Sequence, residues 1–537
     1  MKHNTLFSRA LSLTLVLAMV LTLAACSRTA GPRAERVLKM DFSGNTGFPA
    51  MYTTASNGPG YVMMSYMFDT LVWKDDKGEV NLLADSYSVS DDQLTYTFKL
   101  RENVTFHDGT PFTAEDVKFT FDYTSLHPYQ WTATTMVKEV RVVDDLTVEI
   151  ELKKAYVPFI TDVAGNLPML PKHIYENVSD PTLFTDKEAL IGTGPLMLES
   201  YDPDTSVYIL VKNPNYYYGE VQIDKLVLAP HSDSKEALLA GEIDAAAGMK
   251  YVTAASLKDT ENMTFIEGQS IQVARLHLNF ADEALAVKEI RQAISYAIDR
   301  QSIVDKAMKG SAIVGTAGFV HPDSPWYNPD VAVYSYDVDK AKELMASVGA
   351  VDTNGDGIAE YKGKKLAYEF LVGDKDVKVC EMIVSYLQAI GIGCTAKTAD
   401  DSTVKGNISE GKFDIAFNRH GTFGGDPKYM ACLATDTAGA IKVSIPGGKR
   451  WQSKEFDELF YASLQEQDKA ARKELIAKCQ EIVAEELPTL AIYFPVNAAV
   501  YNNTVFDGFY FTADGIASGI PFIYNKLCLI TGEWKGK

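Results

Sequence analysis

Residue types that commonly perform catalysis are present in this 537-residue chain, but they form no recognisable catalytic motif. The eight histidines are dispersed, and none has the H-E-x-x-H spacing that places two zinc ligands on one helix face. The sequence has no G-x-S-x-G nucleophile elbow, no P-loop and no kinase motif set. Carboxylates are too numerous for spacing to single out a pair for glycoside hydrolysis. The sequence therefore predicts a protein that is not an enzyme and that uses no cofactor.

Two stretches could hold a metal ion by residue type. Residues 352–357 resemble the first half of a calcium-binding loop, but Gly363 stands where that loop needs a bidentate glutamate. A polar turn is the favoured interpretation there. The methionines of residues 61–71 could bind a soft metal, yet methionines at helical spacing are more often flexible core residues. We predict no metal ligand.

Composition limits the class of protein and of partner. Hydrophobic residues make up 46% of the chain and charged residues 23%, as in ordinary soluble globular proteins. The formal net charge of -20 argues against nucleic acid as a partner. Five of the six cysteines lie beyond Cys26 without any C-x-x-C pair, so no disulfide framework is predicted, although one pair could be bridged. The length exceeds what one core supports and indicates two or more lobes.

The first 26 residues have the pattern of an export signal. Lys2 and Arg9 give a basic start, and the apolar residues 10–25 fall short of the roughly 20 that a membrane span needs. Residues 23–26, Leu-Ala-Ala-Cys, match the bacterial lipobox, in which Cys26 is lipidated and becomes the first mature residue. Ordinary cleavage nearby is the alternative. Residues 27–36 are then a polar tether, and the protein is expected outside the cytoplasm, anchored to the bacterial cell membrane through lipid.

Residues 94–123 show how the elements of the chain follow one another. Apolar and polar residues alternate over 94–100, which predicts a half-buried strand. Residues 107–109, His-Asp-Gly, are typical of a turn. Thr113 and Asp116 have capping-box spacing, so a helix is predicted from about Ala114. After residues 352–357 an apolar helix is predicted at residues 379–390 and another strand after residues 391–393, and this alternation indicates α/β layers.

The stretch at residues 97–121, TFKLRENVTFHDGTPFTAEDVKFTF, closely resembles the signature of the extracellular solute-binding protein family 5. Members of that family deliver oligopeptides, dipeptides, nickel chelates and some other solutes to ABC transporters. Three further landmarks resemble the family at residues 191–217, 237–244 and 276–310, and residues 490–494 resemble its late return strand. The resemblance thus covers most of the chain beyond residue 36.

The resemblance implies a two-lobed α/β fold of the periplasmic-binding-protein type, class II and large, with an extra subdomain in the first lobe. The implied boundaries are 37–272 for lobe one, with the inserted subdomain at about 75–190, then 273–497 for lobe two and 498–537 for the return to lobe one. Two lobes joined by crossing strands can close on a solute. The implied partners are an ABC permease and its ATPase, and the protein is expected to be a monomer.

The resemblance also implies which segments line the cleft between the lobes. Trp131 has polar sequence neighbours, which favours an amphipathic site over plain packing. Arg419 could hold a carboxylate bidentately or form a structural ion pair. The residues that we expect to contact the ligand are Asn57, Tyr61, Trp131, Arg419, Phe423, Asp426, Tyr493 and Asn497.

The ligand class stays open at the level of sequence. Many peptide-binding members hold the peptide amino terminus with an aspartate where this chain has Phe423; Asp426 could substitute, or could simply open a turn. Residues 417–427 resemble the nickel-chelate branch, but its aromatic residues are Gly421 and Gly425 here, and its chelate-gripping arginine is Leu167. A peptide is the first expectation and a nickel or other metal chelate the second. A secreted hydrolase or a purely structural surface protein has no motif support.

Overall fold

The computed structural model describes residues 33–42, 45–54, 58–268, 272–420, 425–434, 451–516 and 523–536. The predicted signal peptide with its lipobox, and the predicted site residues Asn57 and Phe423, lie outside these ranges. We find no candidate membrane span among the helices that the structure describes.

A seven-stranded mixed sheet takes its strands from both ends of the chain. The first strand, Val37–Asp41, pairs in parallel with Lys225–Ala229, and the late strand Asn497–Asn502 runs antiparallel to Met263–Gly268. The spatial order is Met263–Gly268, Asn497–Asn502, Ala245–Ala246, Val37–Asp41, Lys225–Ala229, Val207–Lys212 and Leu196–Asp202.

A six-stranded sheet is built from residues 273–495. Its central strand, Val273–Leu278, is buried throughout, which fits a strand covered on both faces. The spatial order is Ala312–Val314, Leu490–Pro495, Val273–Leu278, Ile415–His420, Ala367–Gly373 and Gly393–Ala399. The last three strands are parallel, and helices Val377–Gln388 and Asp401–Glu410 connect them on opposite faces, as the predicted α/β layers require.

The chain crosses from one sheet to the other twice, once between Gly268 and Val273 and once between Pro495 and Asn497. Buried apolar residues divide in the same way: the largest core joins residues 38–245 with 499–529, and the cores around the second sheet use residues 273–494. At the first crossing a side chain on Gly268 would come within 2.2 Å of the Phe511 ring, so only glycine fits. The numbered lobe boundaries remain a prediction.

A third sheet carries the signature stretch. Its four antiparallel strands are Ala84–Val89, Thr95–Leu100, Thr147–Leu152 and Val137–Asp144, in that spatial order. The predicted strand and helix are confirmed, because Thr95–Leu100 buries alternate residues and a helix covers Ala114–Leu126. The predicted capping box is also present: the Thr113 amide donates to Asp116 Oδ2 at 2.9 Å.

The remaining elements complete the layers. Three two-stranded ribbons pair Val72–Lys74 with Glu79–Asn81, Glu360–Tyr361 with Lys364–Lys365, and Phe506–Asp507 with Glu533–Trp534. The other α-helices are Gly58–Ser65, Lys172–Tyr175, Ser234–Leu239, Tyr251–Ala255, Lys288–Ala297, Arg300–Ser302, Val338–Ser347, Lys454–Ser463, Lys469–Glu486 and Cys528–Thr531.

The methionines, the cysteines and the turn at residues 352–357 were also subjects of sequence predictions. Met63, Met64 and Met67 are fully buried in the largest core, as expected of core methionines. The five cysteines beyond Cys26 all lie in the described ranges and are free thiols, so none of them is bridged. Residues 352–357 form a polar turn in which the Asp352 carboxylate accepts hydrogen bonds from the backbone amides of Gly355 and Gly357.

Candidate functional site

The carboxyl edge of the six-stranded sheet has the topology of a ligand site. From Ala367–Gly373 the chain first adds a strand on one side, Gly393–Ala399, and then crosses to the other side with Ile415–His420. The strand order therefore reverses between Ala367–Gly373 and Ile415–His420. In open α/β sheets, ligands bind outside the carboxyl ends of the strands at such a switch point. Both crossings to the seven-stranded sheet leave from this same edge.

An ion pair occupies the switch point. Arg419 Nη2 donates to Asp376 Oδ1, and Arg419 Nε has no hydrogen-bond partner in the described part of the chain. Burial acts to lower the pKa of Arg419, but Tyr493 and Asp376 outweigh it and raise that pKa. Burial raises the pKa of Tyr493 to about 12. The structure thus brings predicted residues Arg419 and Tyr493 together and adds Asp376, which the sequence analysis missed although it follows a strand end.

The region around Trp131 contains buried polar atoms without partners. Trp131 is half-buried and packs edge-on against Tyr61, with 5.7 Å between ring centroids. Trp131 Nε1, Tyr129 Oη and Thr132 Oγ1 are all buried, and none has a hydrogen-bond partner among the residues that the structure describes. Buried polar groups are normally paired, so three orphans within four residues mark a place where a polar ligand would satisfy them.

Tyr61 is the aromatic residue that packs against Trp131. Its side chain is fully buried, its hydroxyl donates to the Asn166 carbonyl at 3.1 Å, and its ring stacks on Trp73 with 6.4 Å between centroids. Burial raises the pKa of the Tyr61 hydroxyl well above its ordinary value. In this conformation Tyr61 supports Trp131, and direct contact of Tyr61 with a ligand stays a prediction.

Asp426 is engaged on both carboxylate oxygens. Arg472 donates to them at 2.6 and 2.8 Å, and the backbone amide of Lys428 donates to Oδ1 at 3.0 Å. Asp426 thereby caps the 3-10 helix Pro427–Leu433, which is the turn-opening role of an Asp-Pro pair. Its charge is already neutralised, so an amino terminus would have to compete with a buried arginine.

The last predicted contact residue, Asn497, sits at the second crossing. Its backbone pairs with Gly268, so the residue lies where the two crossing segments run side by side. The structure therefore places Trp131 beside Tyr61 and Arg419 beside Tyr493, and it pairs the predicted Asp426 with Arg472, which was not predicted. Long-range ion pairs carry no local sequence signal, which is why Asp376 and Arg472 were missed.

The sequence profile of the bacterial extracellular solute-binding proteins, family 5 Middle, matches residues 79–441, more than half of the chain. Among curated proteins, the chain is similar to the oligopeptide-binding protein AppA of Bacillus subtilis. The two are 28% identical over 449 residues, which cover 77% of this chain and 80% of AppA.

Two solved structures illustrate the shared fold. NikZ from Campylobacter jejuni in complex with Ni(L-His) is 23% identical, with a TM-score of 0.71 and coverage of 90% of this chain and 98% of NikZ. AppA from Bacillus subtilis in complex with a nonapeptide is 22% identical, with a TM-score of 0.72 and coverage of 94% of this chain and 100% of AppA. These likenesses confirm the predicted α/β fold of the periplasmic-binding-protein type.

Family 5 proteins are transport binding proteins that work with the permease and ATPase of ABC transporters, so the prediction that this protein is not an enzyme is confirmed. The homologues include peptide-, dipeptide- and nickel-binding members. The chain belongs to the bacterial extracellular solute-binding proteins of family 5.

Proposed function

We propose that this protein is the substrate-binding lipoprotein of an ABC importer and that it captures oligopeptides or dipeptides by closure of two lobes. The observation that carries the proposal is the set of unpaired buried polar atoms at residues 129–132, beside the ring pair of Trp131 and Tyr61. Peptide backbones supply both donors and acceptors for such atoms, whichever side chains the peptide carries. The curated relative AppA is named for oligopeptide binding.

A metal chelate is the second candidate ligand. It is favoured by the bidentate Asp426–Arg472 pair, which leaves that carboxylate engaged and not ready for a peptide amino terminus. Residues 417–427 also resemble the nickel-chelate branch in sequence. A chelate would be held by cationic and aromatic side chains, for which Arg419 and Trp131 are the first choices.

Native mass spectrometry of the mature protein, purified without refolding, tests the proposal. A heterogeneous set of short peptides, identified after denaturation, supports peptide import. One metal-bearing or small organic mass supports the chelate alternative instead. Protein that retains no solute and binds neither peptides nor chelates on addition overturns both.

Replacing Trp131 by alanine is expected to weaken ligand binding at least about tenfold, because the indole supplies both an apolar surface and a free N–H donor. The affinity for the ligand found by mass spectrometry is measured by calorimetry. Trp131→Phe is the matched variant: it keeps a ring against Tyr61 and removes the donor, so an intermediate affinity separates the two contributions. Unchanged affinity in Trp131→Ala would remove this residue from the site.

Cys26 is proposed as the lipidated residue that holds the protein at the outer side of the cell membrane. Cys26→Ala is expected to abolish incorporation of labelled fatty acid and to move the protein from the membrane fraction to the soluble fraction. Ser27→Ala is the neighbouring control and should leave both properties as in the wild type. Continued incorporation of labelled fatty acid into Cys26→Ala would reject lipid anchoring through this cysteine.

A further inference from the structure

Charged residues from the two separately packed halves of the molecule meet beside Asp426. Lys428 Nζ forms an ion pair with Asp162 Oδ1, and the two side chains are only 30% and 12% exposed. Asp162 lies in the π-helical turn Ile160–Ala164, whose Ile160 and Val163 belong to the core of the seven-stranded sheet. Lys428 lies in the helix Pro427–Leu433, which packs on the six-stranded sheet. The pair therefore links two different cores.

Two further contacts accompany this ion pair. The Val157 amide donates to the Leu464 carbonyl at 2.8 Å, which again joins the two halves. Gly425 approaches Asp514 so closely that an added side chain would come within 3.0 Å of the Asp514 Cβ, and its φ of +76° also favours glycine. The link is thus a small interface in which backbone and side chains take part.

Each side of the link is held firmly. The Tyr156 hydroxyl donates to Asp162 Oδ2 at 2.5 Å, which fixes the carboxylate that Lys428 meets. On the other side, Arg472 binds Asp426 bidentately and lies 4.9 Å from the centroid of the Trp326 ring. Bidentate guanidinium–carboxylate pairs restrict orientation as well as distance. Lys428 therefore moves with the second sheet, and Asp162 moves with the first.

We infer that the Asp162–Lys428 pair, with the Val157–Leu464 hydrogen bond, is a latch that holds the two halves closed. The inference extends the proposed function, because a latch adds to ligand affinity without touching the ligand: closure is part of the binding equilibrium. Asp162 and Lys428 are positioning residues in this scheme. Removing one charge leaves the other partly desolvated without its ion-pair partner, which favours the open arrangement where water reaches it.

Hydrogen exchange of the Val157 amide tests the latch in the mature protein without any ligand, because this amide is protected by the opposite half. Asp162→Asn and Lys428→Met are each expected to speed its exchange about tenfold. The double variant should exchange no faster than the faster single variant, since both changes remove the same interaction. Lys118→Met, which breaks the exposed pair with Asp122, is the control and should leave this amide unchanged.

Three results would overturn the latch. They are unchanged Val157 exchange in both single variants, additive effects in the double variant, and equal acceleration at core amides of Thr95–Leu100 and Ala367–Gly373, which would indicate general destabilisation. Any of these results would leave the proposed ligand capture unaffected, because the exchange measurement uses no ligand. Failure of the mass-spectrometry test would in turn leave the latch untouched.

Discussion

Lys526→Met is expected to lower the free energy of unfolding by about 3–5 kcal/mol, because it leaves a buried carboxylate without its counter-ion. Lys526 and Asp69 form an ion pair in which both side chains are 0% exposed. Lys526 Nζ also donates to the Phe68 carbonyl at 3.0 Å and lies 4.3 Å from the centroid of the Trp73 ring. Burial lowers the pKa of Lys526, and Asp69 opposes that shift.

Urea unfolding of the single and double variants measures this effect. Lys526→Met combined with Asp69→Asn should be less destabilised than the sum of the two single changes, since no charge is then left buried. Lys535→Met removes the exposed pair with Asp507 and should change the unfolding free energy by less than about 1 kcal/mol. A loss of that small size in Lys526→Met would contradict the expectation.

Acid is expected to destabilise the protein through His277. Burial, and next the guanidinium of Arg275, lower the pKa of His277 to about 3, although its hydrogen bond to Asn418 opposes the shift. In the unfolded chain a histidine has a pKa of about 6.5. Between these values the unfolded state binds one more proton than the folded state. The free energy of unfolding therefore falls as pH decreases from about 6.5 toward 3, by about 1.4 kcal/mol per pH unit.

Unfolding curves at several pH values between 4 and 7 check this contribution. His277→Gln removes the titrating group and keeps a side chain that can bond Asn418, so its stability should fall less steeply with acid than that of the wild type. Equal slopes in His277→Gln and the wild type would show that this histidine is not the cause.

Arg275 is the charged neighbour of His277 in the protein interior. Its side chain is fully buried, and its three side-chain nitrogens have no hydrogen-bond partner within the described ranges. Burial lowers its pKa. A cation and a neutral imidazole thus lie on one face of the central strand Val273–Leu278, and protonation of His277 would place two like charges there.

The sequence predicted those helices and strands whose formation depends on residues close together in the chain. The alternation at residues 94–100 and the capping box at Thr113 both appear as predicted, since strand period and helix caps depend on near neighbours. The helical spacing of the methionines in residues 61–71 indicates the helix only in part, because the helix Gly58–Ser65 ends before Met67. There the chain turns against Gly192 and Gly194, and a side chain on Gly192 would come within 2.1 Å of the Met67 carbonyl oxygen.

Partners that are distant in sequence could not be predicted. Asp69 and Lys526 are 457 residues apart, and nothing around either one signals the other. The same holds for Arg419 with Asp376 and for Asp426 with Arg472. The family resemblance indicated which segments lie near the cleft, but it did not indicate which of their charges are already paired. That pairing depends on the tertiary fold.

The return of the chain to its first sheet also sets an order for folding. Asn497–Asn502 is an interior strand of the seven-stranded sheet, and residues 506–529 supply part of the largest core. The nascent first half consequently lacks an interior strand and part of its core until residues 497–529 have been made. The six-stranded sheet, by contrast, is assembled from a continuous run, residues 273–495, and can form as soon as that run is available. The half that begins the chain is therefore the last to be finished.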